Sequence, residues 1–201
     1  MTRVWLIRHG EPDAAARNRC YGSLDIGLSE NGRRQMKEVA EYLEAEAAAA
    51  IYTSPSSRAR ESASILAASQ SRSLETITDF REMDFGDFEG LTYDEIAARY
   101  PNLYRHWMDT PAEIHFPNGE NFTEMQTRVL NAFEKLLREN DGKTFMIVSH
   151  GGVNRILIAW ALQMHPASIF RLAQDYAAIN LISFIDGTPC VERLNHRALF
   201  L

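Results

Sequence analysis

The chain has 201 residues, 45% of them apolar, and a formal net charge of −6 from 21 basic and 27 acidic side chains. That length suits a single domain, read as 1–201, with enough apolar surface to form a core without a disulfide or structural metal. The acidic balance excludes the broad basic footprint of non-specific nucleic-acid binding. It leaves room for a local cationic pocket that takes a small phosphorylated ligand.

Residues 3–8 (RVWLIR) predict a buried strand, and the loop that follows runs through CYGSLDIG. Over 29–49, Met36, Val39, Ala40 and Leu43 fall on one helical face, with Ser29 as N-cap. A short strand at 50–53 leads into Ser54-Pro55, which predicts a helix from there to about residue 69, with Ser54 as cap and Pro55 at the first helical position. A strand at 74–78 precedes REMDFGDFEG, a loop rich in acid and glycine, and a helix near 92–99. Residues 100–118, with three prolines and several aromatics, predict irregular structure, and the stretch 91–118 a small inserted cap. A long amphipathic helix covers 120–139. The apolar strand TFMIVS (144–149) runs into His150-Gly151-Gly152 and a helix to about 163. Strands at 179–185 and 190–194 close the chain around a turn at Asp186-Gly187.

This alternation predicts an α/β fold, a three-layer α/β/α sandwich around a mostly parallel central sheet. In such sheets ligands bind outside the carboxyl ends of the strands. No stretch approaches the about 20 apolar residues of a membrane span. Met1-Thr2-Arg3 leads into VWLI, an apolar run that Arg8 and His9 cut short, so no signal peptide is expected. Cys20 and Cys190 form no CxxC pair. A reduced, cytoplasmic protein is therefore expected.

Three strand ends carry chemistry: Arg8-His9-Gly10-Glu11, Ser54 through Arg58, and Ser149-His150-Gly151-Gly152. Arg58 lies in a first helical turn, against the helix dipole unless an anion binds there. The free N–H groups of helix N-termini, Gly151 among them, suit phosphate oxygens. A neutral imidazole such as His9 can attack phosphorus. The charge that spreads over the equatorial oxygens suits the arginine forks of Arg8 and Arg58, with His150 as a further donor. The leaving oxygen needs a proton. Glu82 is the candidate, because a phosphate anion beside it favours its protonated form.

Four segments in order, LIRHGE, TSPSSRARESA, REMDFGDFEGLT and VSHGGVNR, resemble those of the histidine phosphatase superfamily, the branch that holds phosphoglycerate mutase and its phosphatase relatives. The resemblance implies a phosphohistidine on His9, oxygen binding by Arg8, Arg58 and His150, and proton transfer by Glu82. It implies no cofactor and no metal, and the six histidines show neither HxH nor HExxH spacing. Pro12 and Ala15 depart from the family pattern. Asn18 is the candidate for the family's phosphate-binding Asn if the loop carries an insertion, and otherwise a solvated residue. Tyr21, Gly22 and Ser23, in the segment resembling the family's substrate loop, are candidate contacts, although core packing explains Tyr21 equally well. Glu120 reads as a helix-start acid.

The expected ligand is a small phosphate ester. The 91–118 region has Arg99 and Arg105 as its basic residues beside two histidines, and carries Tyr93, Tyr100, Tyr104, Trp107 and Phe116. That favours an apolar or ring-bearing alcohol over a small polyanion, and so a phosphatase over a mutase, unless the aromatics only pack the insertion. CYGxxD and SHGGV look similar to α-ribazole phosphatases, which makes α-ribazole 5′-phosphate the leading substrate expectation. A mutase and a non-catalytic phospho-ligand sensor are the alternatives. The sequence leaves the oligomeric state open, a homodimer among the options.

Overall fold

Side chains alternate strictly along β1 (Thr2–Arg8): Val4 and Leu6 join one apolar cluster, Trp5 and Ile7 another. A strand buried on both faces must lie inside a sheet covered twice. The computed structural model describes residues 1–198, so the last three residues of the expected domain lie outside the described part. The sheet has six strands in the order β3-β2-β4-β1-β5-β6, with β2 at Ala50–Thr53, β3 at Leu74–Thr76, β4 at Thr144–Ser149, β5 at Ile179–Ile185 and β6 at Thr188–His196. The first four strands are mutually parallel, and β5 and β6 extend the sheet antiparallel. The β5–β6 hairpin turns through Asp186 and Gly187, both at positive φ (50° and 80°), the type I′ geometry that glycine permits.

One face is covered by α1 (Glu30–Tyr42) and α2 (Ser57–Gln70), through Met36, Val39, Ala40, Ala63 and Leu66. The other is covered by α5 (Phe122–Glu139) and α6 (Gly151–Ala161), through Val129, Phe133, Ile156 and Leu157. The three-layer α/β/α sandwich is thus observed.

Several element boundaries differ from expectation. Ser29 does cap α1, accepting the Gly32 N–H at 2.9 Å, but the helix stops at Tyr42 rather than 49. There the chain turns to bury Leu43 and Ala48, and the Gln70 amide takes up the Leu43 carbonyl at 2.8 Å. The second helix starts at Ser57, not at Pro55, with Ser56 in the cap position. The Ser54 hydroxyl is engaged elsewhere, and the Asp25 carboxylate binds the N–H and hydroxyl of Ser57, both at 2.7 Å. Residues 93–99 form α3 (Tyr93–Arg99), capped by Thr92 and Glu95. The next stretch is not irregular throughout: α4 (Pro101–Asp109) occupies half of it, with proline in its first turn. Asn121 and Glu124 form the capping box of α5, so Glu120 precedes that helix and is not its start acid.

A candidate active site at the strand ends

The parallel register pairs Arg8 of β1 with Ser149 of β4. The next residue of each strand is a histidine, and the rings of His9 and His150 meet edge-on with centroids 5.2 Å apart. Ser54 follows the adjoining strand β2 and bonds Nε2 of His150 at 2.7 Å. Arg8, His9, Arg58, Glu82 and His150 all line one cavity of about 310 Å³. A larger groove of about 650 Å³ beside Met1, Asp141 and Trp160 contains no histidine.

His9 is almost wholly buried, and its Nδ1 lies 2.7 Å from the Gly10 carbonyl oxygen. A carbonyl only accepts, so Nδ1 carries the proton and donates it there, which leaves the lone pair on Nε2. Burial, followed by the charges of Arg8 and Arg58, holds His9 well below the usual histidine range. His150 is held down in the same way, by burial first and then by Arg58, His9 and Arg8. Both rings are therefore neutral near pH 7. With Nε2 facing the Ser54 and Ser56 hydroxyls, the Nδ1 of His150 is buried without a partner.

Arg58 is fully buried in the first turn of α2. It donates to the carbonyls of Gly22 and Leu24, each at 2.8 Å, while its Nε has no partner. Arg8 donates to the Gln174 carbonyl and lies 4.2 Å from the centre of the Tyr176 ring, and its Nε is likewise unpartnered. Of the five buried side-chain polar atoms without a partner among the described residues, three belong to this site. Such donors are costly to leave unmade. An oxyanion would satisfy them. Among the described residues, none of Arg8, Arg58 and Arg155 forms an ion pair with a carboxylate.

Glu82 reaches the cavity from the loop before Met83. One oxygen accepts the Met83 N–H and the other the Gly152 N–H, each at 3.0 Å. Behind it, Arg128 donates to the carbonyls of Asp79, Arg81 and Glu82 at 2.6, 2.8 and 3.1 Å, and pairs with buried Glu120 at 2.6 Å. Burial pushes the Glu120 carboxyl up, but hydrogen bonds and the charge of Arg128 outweigh it and hold the group below the usual range.

Tyr21 lines the cavity, its hydroxyl 2.6 Å from that of Tyr176, and burial followed by this contact pushes its phenol up. Asn18, Gly22, Ser23 and Gly151 do not line it. Asn18 is exposed at a positive φ of 57°. Ser23 is also exposed, its N–H donating to Glu89 at 2.8 Å. Gly22 supplies a carbonyl to Arg58, and a Cβ there would fall 1.7 Å from the Met83 carbonyl oxygen. At Gly151, the first residue of α6, a Cβ would meet Arg155 at 3.1 Å and Arg8 at 3.4 Å, so both guanidinium groups converge over this glycine.

Arg155 and Tyr176 line the cavity without having been singled out from the sequence. Arg155 had a signal, lying one helical turn beyond Gly151 in VSHGGVNR. Its Nε donates to the Leu172 carbonyl at 2.8 Å. Tyr176 had none, since a loop far along the chain brings it in. A buried amide network linking Ser149, Asn154, Gln174 and Asn180 fixes the loop that holds Arg8. Among the described residues, no cluster of three His, Cys, Asp or Glu side chains could hold a metal ion, and no helix is long and apolar enough to cross a membrane.

The family model described as histidine phosphatase superfamily (branch 1) matches residues 4–197. A bifunctional protein of Mycobacterium tuberculosis is 33% identical over 196 residues, which are 96% of this chain and 54% of that protein. The chain thus spans about half the length of the first curated relatives it matches. Phosphoserine phosphatase 1 of Hydrogenobacter thermophilus is 28% identical, with 97% and 92% of the two chains covered. The crystal structure of the α-ribazole phosphatase from Shigella flexneri superposes with a TM-score of 0.89 at 26% identity, covering 99% of this chain and 98% of that one.

Proposed function

Because the chain belongs to branch 1 of the histidine phosphatase superfamily, we propose that it hydrolyses a small-molecule phosphate monoester through a phosphohistidine on His9. The observation that carries this reading is a neutral His9, locked by Gly10 with its Nε2 lone pair free, beside two buried guanidinium N–H groups and an imidazole nitrogen of His150 that have no partner among the described residues.

In the first step Nε2 of His9 attacks phosphorus and the bond from phosphorus to the alcohol oxygen breaks. Arg8, Arg58 and His150 bind the equatorial oxygens, where charge spreads in the transition state. Glu82, protonated, gives its proton to the departing oxygen. In the second step the Glu82 carboxylate takes a proton from water, the water oxygen attacks phosphorus, and the P–N bond breaks to release inorganic phosphate. Arg155 adds a third guanidinium beside the phosphoryl group.

For the alcohol, α-ribazole 5′-phosphate is the first candidate. It is supported by the likeness to the Shigella enzyme, whose name gives that activity. Phosphoserine stands next, on the name of the Hydrogenobacter relative.

Phosphate release from a panel of esters, together with rapid quench of a labelled ester, tests the reading. An acid-labile phosphoenzyme is expected, and its loss in His9→Ala. Tight binding of phosphate with neither release nor labelled protein would mean a sensor. Label transfer to 3-phosphoglycerate in preference to water would mean a mutase.

A further inference from the structure

A second cavity, of about 120 Å³, adjoins the first and shares Glu82, Phe85, Trp107, Arg155 and Phe170 with it. The rest of its wall is apolar, with Phe116, Phe122, Met125, Ile156 and Ile169 all nearly inaccessible from outside. Apolar walls ordinarily close on each other to gain contact. Here a space remains, and Phe116, packed edge-on against both Phe85 and Trp107 at 4.9 and 5.3 Å between ring centres, forms one wall of it with them. The aromatics of the 91–118 stretch therefore divide. Tyr100, Trp107 and Phe116 all pack on Phe88, but Trp107 and Phe116 also line this second cavity, which Tyr100 does not.

Glu82 stands on the boundary between the two cavities. In-line transfer places the leaving oxygen opposite the attacking Nε2 of His9. If Glu82 protonates that oxygen, the carbon skeleton attached to it begins at Glu82. The adjoining cavity opens beside Glu82, next to the space that remains in the first cavity. We propose that this annex is the leaving-group subsite, and that it selects esters whose alcohol carries an apolar group the size of one ring close to the ester oxygen. This rests on the phosphatase reading above but on neither named ester, since the ribose beside the ester oxygen of α-ribazole 5′-phosphate and the charged groups of phosphoserine match the annex less well than an apolar ring.

The size fits, since an apolar cavity of about 150 Å³ takes up benzene. The charge fits too. Glu82 and Arg155 are the charged residues among those lining the annex. A second acidic group on the alcohol would meet a single cation, Arg155, which also faces the phosphoryl pocket, and otherwise apolar walls. An uncharged ring meets flat apolar walls and the guanidinium face of Arg155.

Calorimetric titration with phosphonates, whose P–C bond resists hydrolysis, tests this without turnover. Benzylphosphonate should bind at least about tenfold more tightly than methylphosphonate or 3-phosphonopropionate, a difference of about 1.4 kcal/mol. Equal affinities, or tightest binding of the carboxylate-bearing compound, would overturn the subsite. Met125→Trp should fill the annex and erase the benzyl preference. The milder Met125→Ala should enlarge it and move the best fit to 1-naphthylmethylphosphonate, and an unaltered order in that variant would also overturn the proposal. If inorganic phosphate and every phosphonate fail to bind, the phosphatase reading itself falls, and the subsite with it.

Discussion

Gly152 and Glu82 share one space. The Gly152 N–H donates to one Glu82 oxygen at 3.0 Å, and a Cβ on residue 152 would stand 2.2 Å from the other. The carboxylate therefore rests on the first turn of α6 because residue 152 has no side chain. The same turn begins at His150, so one helix N-terminus sets the acid and the second histidine relative to each other.

Gly152→Ala should displace Glu82 while the fold is retained, since alanine is the better helix former. Turnover of an alkyl phosphate, which needs protonation of its leaving oxygen, should fall by about 10²–10⁴. Turnover of 4-nitrophenyl phosphate should fall much less, because its leaving group departs unaided. Steady-state rates on both esters check this, and a common factor for the two would remove Glu82 from the acid role.

Arg155 is a partly buried cation that faces Arg8 and, among the described residues, has no carboxylate in ion-pair contact. Burial, followed by the charge of Arg8, lowers its pKa, so the unligated protein gains little from keeping the group charged there. Arg155→Met should weaken inorganic phosphate binding roughly tenfold and cost the unligated fold less than about 1.5 kcal/mol, the lost bond to the Leu172 carbonyl being offset by relief of repulsion. Phosphate titration and urea unfolding measure the two effects. A large loss of stability with unchanged phosphate affinity would make Arg155 a structural residue.

Glu120 and Arg128 behave in the opposite sense. Each is about nine-tenths buried, and Arg128 holds three carbonyls of the segment that ends at Glu82. Glu120→Ala leaves that cation without its partner and should cost about 3–5 kcal/mol of stability. It should also lower kcat by loosening Glu82. Urea midpoints and alkyl phosphate turnover report on both, and a neutral effect on each would show that the pair braces nothing.

The two buried histidines of the candidate site set a pH dependence. Burial keeps both below the ordinary value of 6.5 in the folded state, whereas the unfolded chain regains that value. Below about pH 6.5 the unfolded state therefore takes up protons that the folded state refuses. Their contribution to stability is complete above that pH and is lost as pH falls through the window beneath it. The urea midpoint should drop from pH 7.5 to 5.5, and the drop should shrink in His150→Asn. Catalysis has the same sign, because His9 attacks only when neutral: the acidic limb of kcat/KM should lie below pH 6.5. A limb above that value, or an undiminished drop in the variant, would contradict the lowered histidines.

Much of the fold could be read from the sequence, because strand alternation and helical spacing are local. RVWLIR and TFMIVS mark buried strands whatever lies elsewhere, and Ser29 caps its helix by the geometry of its own turn. Boundaries fail where a distant group intervenes. The α2 start moved by two residues because Ser54 bonds His150 and Asp25 binds the N–H of Ser57. The helix at Pro101–Asp109 was missed because the prolines around it outweighed its own helix-start proline.

For the candidate site, the sequence by itself singled out the residues proposed to react. His9, Arg8, Arg58, Glu82 and His150 stand at strand and loop ends, where side-chain chemistry and motif order identify them. Tertiary structure alone decided which lone pair of His9 is free, that both histidines are buried and neutral, and that Arg155 and Tyr176 join them. It alone decided that Trp107 and Phe116 line the annex while Tyr100 does not. Residue type is a local property. Protonation, solvent exclusion and cavity shape depend on every group within a few ångströms, and those groups come from segments more than a hundred residues apart.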